Sequence, residues 1–428
     1  MILIDTALRK RESDNNPIKV AIIGTGVMGK GIINQITKFS PGIEVIAAFN
    51  RTLSKAKEAF EYSGIKDFVI AETNNDYNKA RDYKKAVISQ NIDVICQGRD
   101  IDLIIEVTGT IEFATSTIIK AFENGKHVLS FNAEIDATLG PILKYKAQKA
   151  GVMYSVADGD QPSVTLNLFR QVKSMGFTPL LCGNIKGLQD RYRNPTTQKS
   201  FAAQWKMTPE MVTSFADGTK ISFEQACIAN ATGLKVAKRG MLGYYTDKHV
   251  DEIKDLYDIE QLKRLGGIVD YVVGAKPGPG VFIYATMEDP FCKKYLKYVK
   301  MGEGPLYSFY VPYHLLFFEI ANSISRMIDF QDDILSPKGG LVVDVVTTAK
   351  INLKKGDVID GIGAYRTYGL CENYEISKKE NLLPMGLAEG CIVINDIAKD
   401  QVITYNDIHL PEGRLANRLK NEQNKLFK

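Results

Sequence analysis

The 428-residue chain predicts an α/β fold: a doubly wound parallel sheet at the N-terminus, a central α+β domain, and a small β-rich C-terminal domain. Two observations carry that expectation. Short runs rich in β-branched residues alternate with helical segments as far as residue 157, and the alternation fades after Asp158. A breaker-rich stretch, Leu335-Ser336-Pro337-Lys338-Gly339-Gly340, then precedes short strand-like runs separated by turns.

The first strong element is Ile18-Lys19-Val20-Ala21-Ile22-Ile23, an apolar run of strand length. Glycines follow, then a helical stretch over 30–39 and a second β-branched run, Ile43–Phe49. Strand, glycine turn, helix and strand make the right-handed unit of a parallel Rossmann sheet. Runs at 101–107, 127–131 and 152–156 continue the sheet, with a helix over 113–124. The lysine-rich stretch 74–100, helical over 77–89, reads as a surface insertion. Further on, Ala275-Lys276-Pro277-Gly278-Pro279-Gly280 must be loop, and the apolar stretch 315–328 reads as a helix. Runs at 341–349, 357–362 and 391–395 read as strands of the C-terminal domain. The expected organisation is an arm (1–16), a dinucleotide domain (17–157), a substrate and oligomerisation domain (158–335), a β-rich domain (336–412) and a charged tail (413–428).

Composition narrows the function classes. Fifty-four basic against 50 acidic residues give a net charge of +4, too weak a bias for nucleic-acid or membrane binding. No apolar run approaches the roughly 20 residues of a membrane span, and the N-terminus lacks the apolar core of a signal peptide. Six dispersed cysteines without a C-x-x-C pair read as reduced core residues of a cytoplasmic protein. The expected partner is a small anionic substrate.

Gly24-Thr25-Gly26-Val27-Met28-Gly29 is a G-x-G-x-x-G string in the strand–turn–helix context that gives it meaning. Gly24 permits the tight turn, Gly26 lets a pyrophosphate approach the backbone, and Gly29 lets helix pack on strand. The alternative, a plain turn between strand and helix, lacks a reason for three spaced glycines. At the end of the second strand an NAD site usually places a carboxylate. This chain has Asn50, Arg51 and Thr52 there, which favours the 2′-phosphate of NADP(H). Thr52 also suits a helix cap. Thr108 and Gly109 end the fourth core strand, and Asn132 ends the fifth, on the edge where cofactor loops gather.

These segments, with Glu106-Val107-Thr108-Gly109 and Asn132-Ala133 in register, resemble the homoserine dehydrogenase superfamily. That family carries a lysine after Asn-Ala, where this chain has Glu134. Over most of its length the chain is more similar to homoserine dehydrogenase-like proteins that end in a SAF-type β-clip domain. Asp158-Gly159-Asp160-Gln161-Pro162, residues 190–198, Asp217-Gly218-Thr219-Lys220, Ala229-Asn230-Ala231-Thr232-Gly233 and Leu383-Pro384-Met385-Gly386 carry that resemblance. The group includes 1-deoxy-D-xylulose 5-phosphate reductoisomerase-like enzymes. The resemblance implies NADPH-dependent reduction of a ketose phosphate, a homodimer or homotetramer, and a C-terminal domain that gates or covers the site.

Carbonyl reduction needs a proton donor. Lys220 is the first candidate, oriented by Asp217 and Glu224, and a solvated lysine is the plain alternative. Glu134, Asp158, Asp160 and Lys186 are further candidates, with Gln161, Asn230 and His314 as substrate contacts. Asp158 and Asp160 also suit a divalent cation, though no motif supports a metal. Lys186, Arg191 and Arg193 form a candidate anion cluster. Two other functions fit: a homoserine dehydrogenase, against which Glu134 argues, and a non-catalytic NADP-binding sensor or scaffold.

Overall fold

The computed structural model describes residues 2–427 and divides into two compact units. The first comprises Met1–Asp160 with Leu315–Ser336 and Arg418–Glu422. It runs α1 (Ile2–Ser13), β1 (Ile18–Ile23), α2 (Val27–Phe39), β2 (Ile43–Phe49), α3 (Leu53–Ser63), β3 (Phe68–Ile70) and α4 (Asn74–Asp82). It continues β4 (Ala86–Ser89), α5 (Ile92–Cys96), β5 (Leu103–Glu106), α6 (Ile111–Glu123), β6 (His127–Ser130), α7 (Ala133–Lys149) and β7 (Tyr154–Val156). All seven strands are parallel, in the order β3-β4-β2-β1-β5-β6-β7. The order reverses at β1, between β2 and β5, and a crevice for a ligand opens at such a reversal.

Both faces of this sheet are covered, so its central strands read as unbroken apolar runs rather than alternating ones. Val20, Ile22 and Ile23 are fully buried, as are Ile104 and Ile105. Each contributes roughly 1.5–3 kcal/mol on burial. The arm expected at 1–16 is helix α1, anchored by buried Ile4 and Leu8 and by an Arg11–Asp329 ion pair of 2.7 Å. Asp329 lies on a return helix, Ile320–Phe330, whose Ile320, Ile324 and Met327 enter the same core.

The stretch 74–100 is not a surface insertion. It contributes β4, which lies inside the sheet between β3 and β2. Four residues, Ala86-Val87-Ile88-Ser89, are too few to stand out among lysines, yet all are buried. A Thr73–Asp76 capping box starts α4. Buried Tyr77 and Arg81 then bind Asp100, with Tyr77 Oη donating at 2.8 Å and Arg81 Nε at 2.9 Å.

The second unit comprises Gln161–His314, Pro337–Asn417 and Gln423–Lys428. It contains α8 (Gln161–Ser174), β8 (Thr178–Lys186), α9 (Pro195–Trp205), α10 (Pro209–Asp217), α11 (Thr219–Thr232), β9 (Tyr244–Tyr245) and α12 (Ile259–Leu265). Strands β10 (Ile268–Val273), β11 (Val281–Thr286) and β12 (Tyr307–Val311), with α13 (Pro290–Tyr298) between the last two, complete a mixed five-stranded sheet, ordered β12-β11-β8-β10-β9. On β8, Leu181 and Ile185 enter a core with Tyr257 and Leu262. Strand alternation puts Cys182, Asn184 and Lys186 on the opposite face.

The C-terminal β elements belong to this same unit. Antiparallel β13 (Val343–Ala349) and β14 (Thr367–Asn373) pair over seven residues, and a second two-stranded sheet joins Ile392–Val393 to Ile408–His409. The strand expected at 357–362 is reduced to an isolated bridge, Val358↔Ile392, because a turn follows at Gly361 with φ +97. The expected charged tail is an ordered helix, Leu415–Leu426, with buried Ala416 and Leu419.

Candidate functional sites

In the first unit the glycine loop bridges β1 and α2 at the sheet's reversal point. Gly24 has φ +101, a conformation a side chain resists. A Cβ on Gly29 would lie 1.9 Å from the Gly24 carbonyl oxygen, so only glycine lets the helix close on the turn. Gly26 caps α2, and a Cβ there would meet nothing within 4 Å. The backbone at Gly26 is therefore open, at a helix end with unsatisfied N–H groups and no acidic residue in the first turn. Thr25 is buried, Val27 is exposed and Met28 packs against the core. These features fit a dinucleotide pyrophosphate.

Asn50 ties this loop to the end of β2. Its Nδ2 donates to Thr25 Oγ1 at 2.8 Å and its Oδ1 accepts from the Thr52 N–H at 2.8 Å. Gln90 Nε2 donates to the Arg51 carbonyl at 2.6 Å, and the Arg51 side chain is exposed. Thr52 stands at the N-cap of α3, but its hydroxyl caps no backbone group. The first turn of α3 carries no acidic residue.

Across the reversal, β5 ends in a group that sequence reasoning did not single out. Glu106 is fully buried, and burial raises its pKa against the hydrogen bonds it accepts. The Thr108 N–H donates to its Oε1 at 2.7 Å, the Thr108 hydroxyl donates to the same atom, and Ser130 Oγ donates to Oε2 at 3.4 Å. Glu106 thus sets the Thr108–Gly109 turn, where Gly109 has φ +67. Asn132 is also buried. Its Oδ1 caps α7 by accepting from Ile135 N–H at 3.1 Å, and its Nδ2 donates to the Thr110 carbonyl at 3.2 Å. Glu134 is half-buried in the first turn of α7.

Asp158, at 1% exposure, is gripped by Arg326 of the return helix, whose Nη1 donates to both carboxylate oxygens at 3.0 and 3.1 Å. Its N–H donates to Ser323 Oγ at 2.7 Å. A Cβ on Gly159 (φ +83) would strike the Leu316 carbonyl at 1.9 Å, so this turn requires glycine. Asp158 therefore acts first as an anchor for the returning chain, and Asp160 is buried nearby in sequence. Among the described residues no group of three or more His, Cys, Asp or Glu has the disposition of a metal site.

In the second unit, Lys186 ends β8 and donates to the Phe215 carbonyl at 2.8 Å. Burial pushes its pKa down to about 8, opposed by the carboxylates of Glu224 and Asp217. Asp217 is fully buried at the end of α10. It accepts from Thr219 N–H at 2.9 Å and from Lys350 Nζ at 2.9 Å. Burial raises its pKa, and the Lys350 ammonium opposes the rise. Lys220 and Glu224 follow one turn apart on α11, half-buried and buried respectively. The structure therefore brings Lys186, Asp217 and Glu224 together.

The expected anion cluster is held by separate partners. Arg193 Nε pairs with Asp190 Oδ2 at 3.0 Å, while exposed Arg191 stands 6.0 Å from the Tyr368 ring centroid. Asn230 serves the fold: its Oδ1 accepts from Val342 N–H at 2.7 Å and Val343 N–H at 3.0 Å, fixing the start of β13. Gln161 opens α8 and is buried, and His314 is half-buried at the end of its segment.

Comparison with known proteins gives two family matches. Residues 24–157 match the family profile described as homoserine dehydrogenase, NAD binding domain, and residues 159–320 match oxidoreductase DRL, catalytic domain. A curated homoserine dehydrogenase from Pseudomonas aeruginosa is 28% identical over 137 residues, which are 32% of this chain and 28% of that protein. Among solved structures, apo scyllo-inositol dehydrogenase from Lactobacillus casei is similar at 13% identity and a TM-score of 0.40, over 74% of this chain and 89% of that one. Myo-inositol dehydrogenase from the same organism, in complex with NAD(H) and myo-inositol, is 20% identical with a TM-score of 0.32, over 42% and 49%. Structural likeness this slight carries no functional weight. The two profile matches describe an oxidoreductase with a nicotinamide-dinucleotide-binding domain of the homoserine dehydrogenase type.

Proposed function

We propose that the protein is an NADP(H)-dependent oxidoreductase of a small polyhydroxylated or phosphorylated keto substrate, of the reductoisomerase kind that the sequence resemblance implies. The observation that carries the cofactor choice is the end of β2, where exposed Arg51 and the uncapping Thr52 hydroxyl meet no carboxylate in the first turn of α3. A guanidinium fork suits a 2′-phosphate, and an acidic residue there would repel it. The first unit holds the cofactor through Gly24, Gly26 and Gly29, with Thr108 as a ribose contact and buried Asn132 fixing the turn beside it through the Thr110 carbonyl.

Bound NADPH supplies the hydride that reduces a carbonyl carbon. Carbonyl reduction also needs a proton donor, and the second unit, taken by itself, carries a candidate. Lys186 is the candidate donor to the oxygen: it ends β8, its Nζ donates to the Phe215 carbonyl at 2.8 Å, and burial pushes its pKa down to about 8. The Glu224 carboxylate favours the charged, proton-bearing form of Lys186, and Lys220 is the cation that polarises the carbonyl. Arg191 binds an anionic group of the substrate. We read the C-terminal β elements as a SAF-type β-clip and the active form as a homo-oligomer in the cytoplasm.

A second reading, homoserine dehydrogenase, is favoured by the match over residues 24–157. Glu134 opposes it, since a carboxylate there disfavours the carboxylate of aspartate semialdehyde. Initial-rate assays of the purified protein separate the two. Our reading expects NADPH oxidation with ketose phosphates and none with aspartate semialdehyde. Turnover of homoserine at a rate matching the best sugar phosphate would overturn it.

A further inference from the structure

Lys350 follows β13 and is almost fully buried, at 3% exposure. A lysine is rarely placed so deep unless every ammonium proton has an acceptor. Here each does: Nζ donates to Asp217 Oδ2 at 2.9 Å, to the Arg193 carbonyl at 2.8 Å and to the Ala364 carbonyl at 2.8 Å. The three acceptors lie on three separate segments. Arg193 belongs to the loop that carries Arg191, Asp217 ends α10, and Ala364 precedes β14. Asp217 in turn accepts from the first N–H of α11, the helix of Lys220 and Glu224. Lys186 is bonded to Phe215, two residues before Asp217.

We propose that Lys350 is a positioning residue of the substrate site, joining the Arg191–Arg193 loop, the end of α10 and the start of α11 through one ammonium and keeping Asp217 ionised beside Lys186. The proposal rests on the reading that these second-unit residues bind and protonate the substrate. Its electrostatic side has few participants. Lys186 is influenced by Glu224 from α11 and Asp217 from the end of α10. Asp217 is influenced by Lys350 and by hydrogen bonds from Thr219. Without Lys350, burial raises the Asp217 pKa further, and the weaker anion favours the charged form of Lys186 less.

The test is the titration of Lys186 in the full-length protein, read by NMR of isotope-labelled lysine side chains and assigned with Lys186→Arg. In the wild type the midpoint should lie at about 8, where burial pushes the Lys186 pKa. In Lys350→Met it should fall by about half a unit or more, a readily resolved shift. Lys350→Gln, which keeps a hydrogen-bond donor in place, should show the same fall and serves if the methionine variant does not fold. Lys350→Arg keeps the charge and should restore the midpoint. NADPH affinity should stay unchanged throughout. A wild-type midpoint in the methionine or glutamine variant, or an equal fall in Lys350→Arg, would overturn the proposal. If the shifts occur yet no carbonyl compound is reduced with NADPH, the functional reading falls and the positioning role stands.

Discussion

The Asn50 side chain joins the glycine loop to the start of α3, donating to Thr25 Oγ1 at 2.8 Å while accepting from the Thr52 N–H at 2.8 Å. One amide therefore fixes the pyrophosphate turn and the Arg51-Thr52 corner relative to each other. Both parts of the candidate cofactor site inherit their geometry from it.

The glycines of that turn should separate folding from binding. Gly26→Ala adds a methyl group to open space, so its melting temperature should match the wild type. NADPH affinity should nevertheless fall at least tenfold, because the methyl stands where the pyrophosphate approaches. Gly29→Ala forces a carbon to 1.9 Å from the Gly24 carbonyl and should cost about 1–3 kcal/mol of stability. Calorimetry and cofactor titration on both variants check this, and equal behaviour of the two would contradict it.

The Asp158–Arg326 pair should act as a structural clasp. Its side chains are 1% and 7% exposed, so breaking one partner leaves a buried charge. Arg326→Met should cost about 3–5 kcal/mol in denaturant unfolding, while Arg326→Met with Asp158→Asn should recover much of that loss. A double variant no more stable than the single one would count against the clasp.

Asp270 should make the protein less stable as pH rises. Burial pushes its carboxyl from 3.8 up to about 6. Between those values the folded state binds more protons than the unfolded one, so stability falls as pH rises through that window and stays lower above it. Asp270→Asn can keep the bonds from Leu242 and Gly243 N–H at 2.9 and 3.0 Å. It should gain on the order of 2 kcal/mol at pH 7 relative to its own offset at pH 4. Urea titrations at both pH values measure the difference, and parallel pH dependence of the two proteins would refute it.

Lys186 as proton donor sets an alkaline limit to activity. Burial pushes its pKa down to about 8, so the donor should be lost as pH rises through that value. The rate at limiting substrate should therefore decline on an alkaline limb centred near pH 8. Lys186→Arg keeps the charge but cannot give up a proton at that pH, and should lose about 10²–10⁴-fold in turnover along with the limb. An unchanged pH profile in the variant would move the chemistry elsewhere.

Much of the first unit was legible because its signals are local. A strand, three spaced glycines and a helix announce the loop within one stretch of chain, and the Gly24 and Gly29 contacts follow from that geometry. Strand β4 was hidden because three apolar residues and a serine, preceded by lysines, show no period. The candidate proton site was harder, since its assembly is tertiary. Lys186, Asp217 and Glu224 could be nominated by residue type, but Lys350 lies 133 positions from its carboxylate partner and carries no motif. Asn230 and Asp158 looked functional for the same reason that they are structural: buried polar groups need partners, and theirs are Val342–Val343 and Arg326.

Direct binding of NADPH and NADH to wild type and Arg51→Ala tests the choice of NADP(H) most simply. One charge-assisted contact is worth roughly 1.5–3 kcal/mol, so the variant should lose about tenfold to a hundredfold in NADPH affinity and almost none for NADH. The wild type should bind NADPH more tightly. A wild-type preference for NADH, or equal losses for both cofactors in the variant, would contradict the account.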